Sequence, residues 1–324
     1  MEIKKYTQTV EEGLKALKLR TAEVPTLYEP IRYTLDGGGK RLRPVLAMMA
    51  CEALGGTVEE ALSPALGIEV FHNFTLLHDD VMDRSDMRRG RPTVHACWDE
   101  NTAILSGDAM LTLATMLVSK VDDNILARVL KAFNKGAMDV YEGQALDMDF
   151  EQRSDVTLPE YINMISLKTG ALLATALKIG ALTGNAAPDF QATTEALYEY
   201  GMKLGIAFQI HDDYLDIYGN EKRLGKPIGG DVQNNKKTYL LLSALESGGA
   251  EAEALRCAML MECGSHKLTV FREIYDKLGM AQKSRQATID YCNAAIAALD
   301  KACISEEWRR NFEDLALSLT DRDK

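Results

Sequence analysis

The sequence predicts an all-α protein that folds as a single-domain helical bundle over residues 1–324. Ala, Leu, Met, Glu and Lys dominate, alternating β-branched runs are scarce, and the eight prolines mostly fall at the edges of segments. A chain of 324 residues could also hold two average domains. The sequence shows no obvious linker or low-complexity tract, however, so one domain is the simpler expectation.

Charge and composition exclude several classes of protein. The chain carries 37 basic and 48 acidic side chains, a formal net charge of −11, which argues against a general nucleic-acid binder. The six cysteines form no C-x-x-C pair and indicate small, mostly buried side chains in a reducing compartment. The N-terminus lacks a signal-peptide core, and the most apolar window, 170–184, is short and contains Lys178. We expect a cytoplasmic protein without a transmembrane segment.

One helix can be drawn through the stretch 63–83. Ser63 is the expected N-cap and Pro64 a first-turn residue. Apolar side chains then recur at helical spacing and predict a stripe that faces the core, formed by Leu66, Val70, Phe74, Leu77 and Val81. The opposite face carries His72, Leu76, Asp79 and Asp83. Polar side chains on so apolar a helix indicate a function.

Two D-D-x-x-D clusters provide the first chemical signal. Asp79, Asp80 and Asp83 form the first cluster, and Asp212, Asp213 and Asp216 form the second. A single acidic cluster is most often solvated surface, but both of these follow a histidine and lie in apolar helices. Carboxylate oxygens without nearby cysteines suit Mg²⁺ or Mn²⁺ better than zinc. Because Mg²⁺ commonly completes its shell with phosphate oxygens, the pair of clusters predicts a polyphosphate ligand.

Basic stretches accompany the acidic clusters. They contribute Lys40, Arg41 and Arg43 within 37–44, Arg88 and Arg89 after the first cluster, and Lys226 and Lys236 after the second. The first stretch is not a P-loop, because Lys40 is followed by Arg41 rather than Ser or Thr. A solvated basic turn would explain each stretch alone. Together they outline two anion sites beside a metal site.

Five motifs resemble those of the head-to-tail trans-prenyl diphosphate synthases and occur in that family's order. They are G-G-G-K-R-L-R-P at 37–44, D-D-V-M-D-R-S-D-M-R-R at 79–89, K-T-G at 168–170, F-Q-I-H-D-D-Y-L-D at 208–216 and G-K-P-I-G-G-D at 225–231. The resemblance implies an all-helical fold of the isoprenoid synthase type around a deep central cavity. It also implies a homodimer.

The resemblance further implies a Mg²⁺-dependent condensation of isopentenyl diphosphate with an allylic diphosphate. The implied metal ligands are Asp79, Asp80, Asp83, Asp212, Asp213 and Asp216, and the implied allylic diphosphate ligands are Arg88, Lys168 and Lys226. The implied isopentenyl diphosphate ligands are Lys40, Arg43, His72 and Arg89. Thr169 and Gln209 would line the reacting carbons, with Lys168 as a third catalytic residue. No side chain stands out as a general base, so the departing pyrophosphate would accept the proton.

Product length is inferred from the residues ahead of the first acidic cluster. Phe74 lies five residues before Asp79, and Thr75 lies four before it. This pair resembles the cavity floor of enzymes that make the C20 product, geranylgeranyl diphosphate, with the C15 farnesyl product as the alternative. An ideal helix puts Phe74 about 140° from Asp79, on the core stripe. The floor assignment therefore depends on the resemblance.

Three other functions compete with this interpretation. A class I terpene cyclase shares D-D-x-x-D and Mg²⁺ but needs no second anion site, which the stretch 37–44 indicates. A metal-dependent phosphohydrolase of the H-D type would use dispersed histidines, and the chain has five. A non-catalytic subunit of a heteromeric prenyl synthase would typically lack aspartates from one cluster, whereas both clusters are intact. The region after about residue 250 is helical and acidic, and no task is assigned to it.

Overall fold

The computed structural model of the chain describes residues 3–185, 187–220 and 228–318. The first helices are α1 (Ile3–Ala16), α2 (Pro25–Leu35), α3 (Leu42–Ala53), α4 (Val58–Met82), α5 (Val94–Cys97), α6 (Glu100–Val118) and α7 (Asp123–Gln152). They are followed by α8 (Leu158–Ile165), a π-helical turn (Ser166–Gly170), α9 (Ala171–Gly184), a 3-10 turn (Pro188–Phe190) and α10 (Gln191–Tyr218). The last are α11 (Gly230–Gln233), α12 (Tyr239–Glu246), α13 (Gly249–Met259), α14 (Ser265–Lys277), α15 (Met280–Ala298), a 3-10 turn (Leu299–Lys301) and α16 (Glu306–Leu317).

Within the described ranges, the strands are limited to one short hairpin. Strands β1 (Met87–Arg88) and β2 (Arg91–Pro92) pair antiparallel, with Met87 opposite Pro92 and Arg88 opposite Arg91. All other regular structure is helical. The prediction of an all-α fold is confirmed.

Helix α4 begins earlier than the sequence analysis predicted. Its N-cap is Thr57, whose hydroxyl accepts from the backbone N–H of Glu60, while the Glu60 carboxylate accepts from the N–H of Thr57 at 2.7 Å. This capping box satisfies two backbone donors at once. The prediction of Ser63 as the N-cap was wrong, and Pro64 lies inside the helix. The Ser63 hydroxyl instead donates to the carbonyl of Leu117 in α6 at 3.0 Å.

The predicted apolar stripe of α4 does face a core. Leu66, Val70, Phe74 and Leu77 are all buried, while Val81 near the end of the helix is partly exposed. The helix packs against α3 and α6. Gly67 permits the close approach of α6, because a Cβ at this position would lie 2.8 Å from the carbonyl oxygen of Ala114. The stripe thus fixes α4 on its neighbours and leaves its last turn for the acidic cluster.

The chain divides into two compact units. Unit 1 comprises Met1–Gly136, Thr175–Tyr198 and Lys301–Ser305, and unit 2 comprises Ala137–Ala174, Glu199–Asp300 and Glu306–Lys324. The division falls inside α7, α9 and α10. That the chain behaves as one domain stays a prediction.

Unit 2 contains two hydrophobic clusters. One is built around Leu240, Phe271 and Tyr275, and the other around Tyr161 and Ile210. The region after residue 250, for which the sequence predicted no function, supplies much of the first hydrophobic cluster. Its helices α13, α14 and α15 therefore support the second acidic cluster on α10 through packing.

Two helical stretches are long and apolar enough to cross a membrane by length and composition alone, Glu100–Val118 and Leu158–Gly184. A core helix of a soluble protein meets the same criteria, and 78% of the apolar window in the second stretch is buried. The window in α6 is 39% buried. Its exposed apolar side chains include Ile104, Leu105 and Met116, and the exposed polar residues Asp108 and Thr112 lie between them on the helix.

The cysteines are more exposed than the sequence suggested. Cys51 and Cys292 are buried, but Cys97, Cys257, Cys263 and Cys303 are exposed. The expectation that most of the six are buried was wrong. All six are free thiols, as expected.

Candidate active site

The first acidic cluster lies at the C-terminal end of α4 in unit 1. Asp80 is 5% exposed, and its Oδ1 accepts from Nε of Arg88 at 2.6 Å. Burial raises the pKa of Asp80, and the Arg88 guanidinium opposes this shift. Asp79 is half-buried, and Asp83 is exposed as the C-cap residue of the helix. The three carboxylates therefore differ, since Asp80 is engaged inside the protein while Asp83 is open to solvent.

The β1–β2 hairpin presents the two adjacent arginines in different directions. Arg89 and Gly90 both have positive φ, 52° and 74°, so the chain reverses tightly between the strands. Arg88 turns to Asp80, whereas the Arg89 guanidinium donates to the carbonyl of Gly38. A Cβ at Gly39 would lie 3.0 Å from Nη2 of Arg89, so the glycines allow the loop to approach the guanidinium.

The basic residues after this glycine loop have unequal roles. Arg41 is 2% exposed and bonds to the carboxylates of Glu11 and Glu69, each at 2.7 Å, and to the carbonyl of Leu35. It is an internal cation that fixes the start of α3. Lys40 is exposed in the loop. Glu69 could not be singled out from the sequence, because its partner Arg41 is distant in the chain.

Arg43 and His72 form the centre of a cationic pocket in unit 1. Nε of Arg43 is buried and has no hydrogen-bond partner among the described residues. Burial lowers the pKa of Arg43 to about 10, with Glu69 opposing and Arg89 reinforcing the shift. Burial and the neighbouring arginines, Arg43 first among them, hold the pKa of His72 well below its ordinary value. A cluster with this excess of positive charge and an unsatisfied donor suits an anion.

A small cavity of about 50 Å³ adjoins these groups. It is lined by Gly37, Asn73, Asp80, Arg88 and Arg89, among others. The structure thus brings together the predicted residues Asp80, Arg88 and Arg89 with the loop that carries Lys40. His72 and Arg43 belong to the same cluster of charges.

The predicted chain-length residues lie in the core of unit 1. Phe74 is 5% exposed, and its ring packs against those of Phe71 and His78. Thr75 is half-buried, and its hydroxyl donates to the carbonyl of His72 at 2.8 Å. The expected position of Phe74 on the core stripe is confirmed. Its role as a floor stays a prediction.

In unit 2, the K-T-G motif forms a π-helical turn, Ser166–Gly170. Two glycines on adjacent helices make this possible. A Cβ at Gly143 in α7 would overlap the backbone of Lys168, and a Cβ at Gly205 in α10 would overlap that of Gly170. Such turns recur at functional sites because the widened helix redirects its side chains. Here the turn carries Lys168 and Thr169.

Lys168 is held by a residue that the sequence analysis missed. Its Nζ donates to Oδ2 of Asp147 at 2.6 Å, and Nζ of Lys236 lies 3.6 Å from the same oxygen. Burial opposes the charge, yet the two ammonium groups hold the pKa of Asp147 below its ordinary value. The available signal was Asp147 itself, since it falls at helical spacing from the buried Gln144 and Phe150.

The second acidic cluster is bound into a hydrogen-bonded chain. Thr169 Oγ1 donates to Oε1 of Gln209 at 3.1 Å, and Nε2 of Gln209 donates to Oδ1 of Asp213 at 3.1 Å. Asp213 Oδ2 accepts from the hydroxyl of Tyr161 at 2.5 Å and from the N–H of Tyr239 at 2.9 Å. Burial raises the pKa of Asp213 to about 7, although these donors oppose the shift. Thr169 and Gln209 are brought together as expected.

The remaining aspartates of this cluster lie in different environments. Asp216 is 4% exposed, and its Oδ2 accepts from the N–H of Asp231 in α11 at 3.0 Å. Asp212 is half-buried. Lys226, predicted to bind the allylic diphosphate, lies outside the described residues. In the part of the chain that is described, no group of three or more His, Cys, Asp or Glu side chains is arranged as a metal site.

The chain is similar to known proteins over most of its length. The family model for polyprenyl synthetase matches residues 24–280. A short chain isoprenyl diphosphate synthase from Methanothermobacter thermautotrophicus is 37% identical over 300 residues, covering 92% of this chain and 91% of the relative. A geranylgeranyl diphosphate synthase from Methanosarcina mazei is 43% identical over 278 residues, covering 82% and 84%. A crystal structure of geranylgeranyl pyrophosphate synthase has a TM-score of 0.93 at 39% identity and covers 100% of both chains.

An all-helical fold with two D-D-x-x-D clusters and adjoining cationic sites defines the isoprenoid synthase class of structure. Within that class, the chain belongs to the polyprenyl synthetase family.

Proposed function

We propose that the protein is a short-chain trans-prenyltransferase that condenses isopentenyl diphosphate with allylic diphosphates and ends at the C20 product. The observation that carries the proposal is the cationic pocket of unit 1, where Arg43, His72 and Arg89 adjoin the first acidic cluster. An enzyme that ionises a single diphosphate needs no such second anion site. The names and coverage of the relatives support the same activity.

The reaction separates charge and therefore needs electrostatic stabilisation. The C1–O bond of the allylic diphosphate breaks, and pyrophosphate leaves with the electron pair. The double bond of isopentenyl diphosphate then forms the new carbon–carbon bond, and a proton passes from the adjacent carbon to pyrophosphate. Lys168, held by Asp147 in unit 2, is proposed to bind diphosphate, and the same role is proposed separately for Arg88 in unit 1. Cations placed where charge develops lower the barrier most.

The carboxylates suit a hard divalent cation. Asp79 and Asp212 are half-buried and Asp83 is exposed, and Mg²⁺ is usually held by one or two carboxylates together with phosphate oxygens. We assign Mg²⁺ binding to Asp79 and Asp83 of the first cluster and, separately, to Asp212 of the second, with Mn²⁺ as a substitute. Bound there, the ion would neutralise charge on the leaving pyrophosphate. Asp213 accepts three hydrogen bonds from the protein, which favours a positioning role for this residue.

Isopentenyl diphosphate would occupy the cationic pocket without a metal. The buried Nε of Arg43 would donate a hydrogen bond to the diphosphate. Lys40 in the glycine loop and Arg89 in the hairpin would add positive charge. His72 would bind as a neutral imidazole, because its lowered pKa keeps it deprotonated near neutral pH. A neutral donor among arginines avoids further repulsion before the anion arrives.

The proposal includes a homodimer in the cytoplasm. The homodimer is supported by the exposed apolar side chains of α6, since Ile104, Leu105 and Met116 are 45%, 61% and 60% exposed. Exposed apolar patches of this kind commonly mark protein interfaces. A second copy of the chain, placed through a two-fold axis, would cover the same face on both protomers.

A product assay tests the proposed activity. Purified protein is incubated with Mg²⁺, isopentenyl diphosphate and the C5, C10 or C15 allylic diphosphate, and chain length is read by mass spectrometry. Accumulation of C20 is expected with every primer. Arrest at C15 would keep the chemistry and replace the product by farnesyl diphosphate. A cyclised hydrocarbon, or no elongation with any primer, would contradict the synthase and favour the cyclase or the non-catalytic subunit.

A further inference from the structure

His78, the residue directly before Asp79, has a position that the proposed chemistry does not use. Its ring packs edge-on against that of Phe74, with centroids 4.7 Å apart and planes at 65°. Nε2 of His78 lies 3.1 Å from the carbonyl oxygen of Ile104 in α6. Because a carbonyl oxygen only accepts hydrogen bonds, Nε2 carries the proton. The ring is therefore tied to α6 while it touches Phe74.

Gly107 provides the space for this ring. A Cβ added at Gly107 would overlap the His78 imidazole, so the ring lies directly on the α6 backbone. Gly107 is buried, and it has no side chain that could fill the space if the imidazole were removed. His78 thus occupies the gap between Phe74 and α6.

The other side of Phe74 is closed by aromatic packing. The ring centroids of Phe71 and Phe74 are 5.5 Å apart, and Phe71 packs edge-on against Phe133 of α7 at 5.4 Å. Phe71 and Phe133 are 0% and 1% exposed, so this side is part of the close-packed core. Phe74 is consequently held between a rigid aromatic pair and the imidazole.

We propose that His78 is a specificity-determining residue for product length, acting as a positioning residue through Phe74. The inference rests on the proposed prenyl transfer and on Phe74 as the floor for the growing chain. The imidazole prevents the Phe74 ring from turning towards Gly107. Without the imidazole, the Phe74 ring turns into the vacated space, because contact with the Gly107 backbone replaces the packing contacts that the ring has lost. The floor then opens, and chains grow beyond C20.

A double-mutant experiment on product length tests this coupling. Wild type, His78→Ala, Phe74→Ala and the double variant are assayed with Mg²⁺, isopentenyl diphosphate and the C15 allylic diphosphate. His78→Ala should shift part of the product from C20 to C25 and longer, and Phe74→Ala should shift more. The double variant should make products no longer than those of Phe74→Ala, because His78 acts only through Phe74. Additive lengthening in the double variant would overturn the proposal.

Two control variants separate the ring from other effects. His78→Phe keeps a ring between Phe74 and Gly107 and should retain C20 as its main product. Ser63→Ala removes another hydrogen bond from α4 to an α6 carbonyl, that of Leu117, far from Phe74 along the helix. It should leave product length unchanged. Lengthening in Ser63→Ala would show that general loosening of α4 against α6 is the cause.

The outcomes distinguish this inference from the proposed function. If wild type elongates and folded His78→Ala still makes C20 alone, the inference is wrong and the prenyltransferase stands. If wild type elongates no primer, the proposed function fails and the inference fails with it. Folding is checked by circular dichroism, and His78→Asn, which keeps a donor for Ile104, replaces His78→Ala if the latter unfolds. The same lengthening is expected from it.

Discussion

Lys168 and Lys236 share one oxygen of Asp147, at 2.6 Å and 3.6 Å from their ammonium nitrogens. A single carboxylate thus neutralises part of the repulsion between two lysines while holding both in place. The three side chains together keep a net positive charge, which would attract a diphosphate.

Replacing Asp147 should impair turnover more than binding. In Asp147→Asn the two ammonium groups lose the negative charge that they share, and their mutual repulsion moves them away from the positions where they would meet the charge that develops on pyrophosphate. We expect kcat to fall by about ten- to a hundredfold, the range that a small misplacement of a catalytic group produces, with a smaller change in KM for the allylic diphosphate. Steady-state kinetics measures both. Asp149→Asn, an exposed change on the same helix, should resemble wild type, and equal losses in both variants would contradict the assignment.

The lowered pKa of Asp147 also predicts a pH effect on stability. Its folded pKa lies below the ordinary carboxyl value of about 4. The contribution is therefore fully present above about pH 4 and is lost as pH falls through the lower folded value. Urea unfolding of wild type and Asp147→Asn should show a smaller acid-dependent loss in the variant. Parallel pH profiles would exclude Asp147 as a contributor.

The neighbours Asp212 and Asp213 should give opposite results when replaced by alanine. Asp212→Ala removes a proposed metal ligand and should lower kcat by orders of magnitude with little change in the free energy of unfolding. Asp213→Ala leaves the Tyr161 hydroxyl and the Tyr239 N–H without their acceptor, which costs about 1–3 kcal/mol per buried group. Urea unfolding and initial rates measured on both variants test this contrast. A destabilised Asp212→Ala would reverse the two roles.

Substitutions of Arg41 and Arg43 should likewise have different effects, one on stability and the other on substrate binding. Arg43→Ala should raise KM for isopentenyl diphosphate about tenfold or more and leave KM for the allylic diphosphate nearly unchanged. Arg41→Ala leaves Glu69 buried without its ion pair, which destabilises a protein by about 3–5 kcal/mol. The two measurements are substrate-specific KM values and urea unfolding. Equal effects of Arg43→Ala on both substrates would contradict a separate isopentenyl site.

A charge on the exposed face of α6 should disrupt the proposed dimer. In Leu105→Glu, two carboxylates would face an apolar interface, and light scattering after gel filtration should report a smaller mass than for wild type. Lys120→Glu, an exposed change beyond the end of the same helix, should leave the mass unchanged. A monomeric wild type would refute the homodimer outright.

Local sequence patterns predicted the helical fold well, because the buried side of a helix carries apolar residues at a regular spacing of three or four positions. Leu66, Val70, Phe74 and Leu77 are buried as their spacing predicts. The start of α4 was misplaced because Ser63 and Pro64 make a plausible first turn, whereas Thr57 and Glu60 satisfy both backbone donors of a capping box. The Thr57-x-x-Glu60 spacing is itself a local sequence signature, so this start could have been predicted from the sequence.

The partners of the charged residues were not predictable in the same way. Arg41 and Arg43 are two positions apart in one basic motif, yet one is an internal ion pair and the other has a buried donor without an acceptor. Asp147 meets Lys168 and Lys236 only after folding brings distant segments together. A motif shows where charged side chains occur in the sequence. Contacts between distant segments decide which of them form ion pairs and which remain available to a ligand.

Phe74 and Asp79 belong to one uninterrupted helix, α4. Five residues of α-helix span about 7.5 Å, and backbone hydrogen bonds hold that length constant. If the diphosphate of a prenyl chain binds at Asp79 and the growing chain stops at Phe74, both ends of the length-limiting distance lie on the same helix. Loop movements and subunit contacts do not change this distance along the helix. New product lengths should therefore arise from substitutions that move the Phe74 side chain or the bound diphosphate.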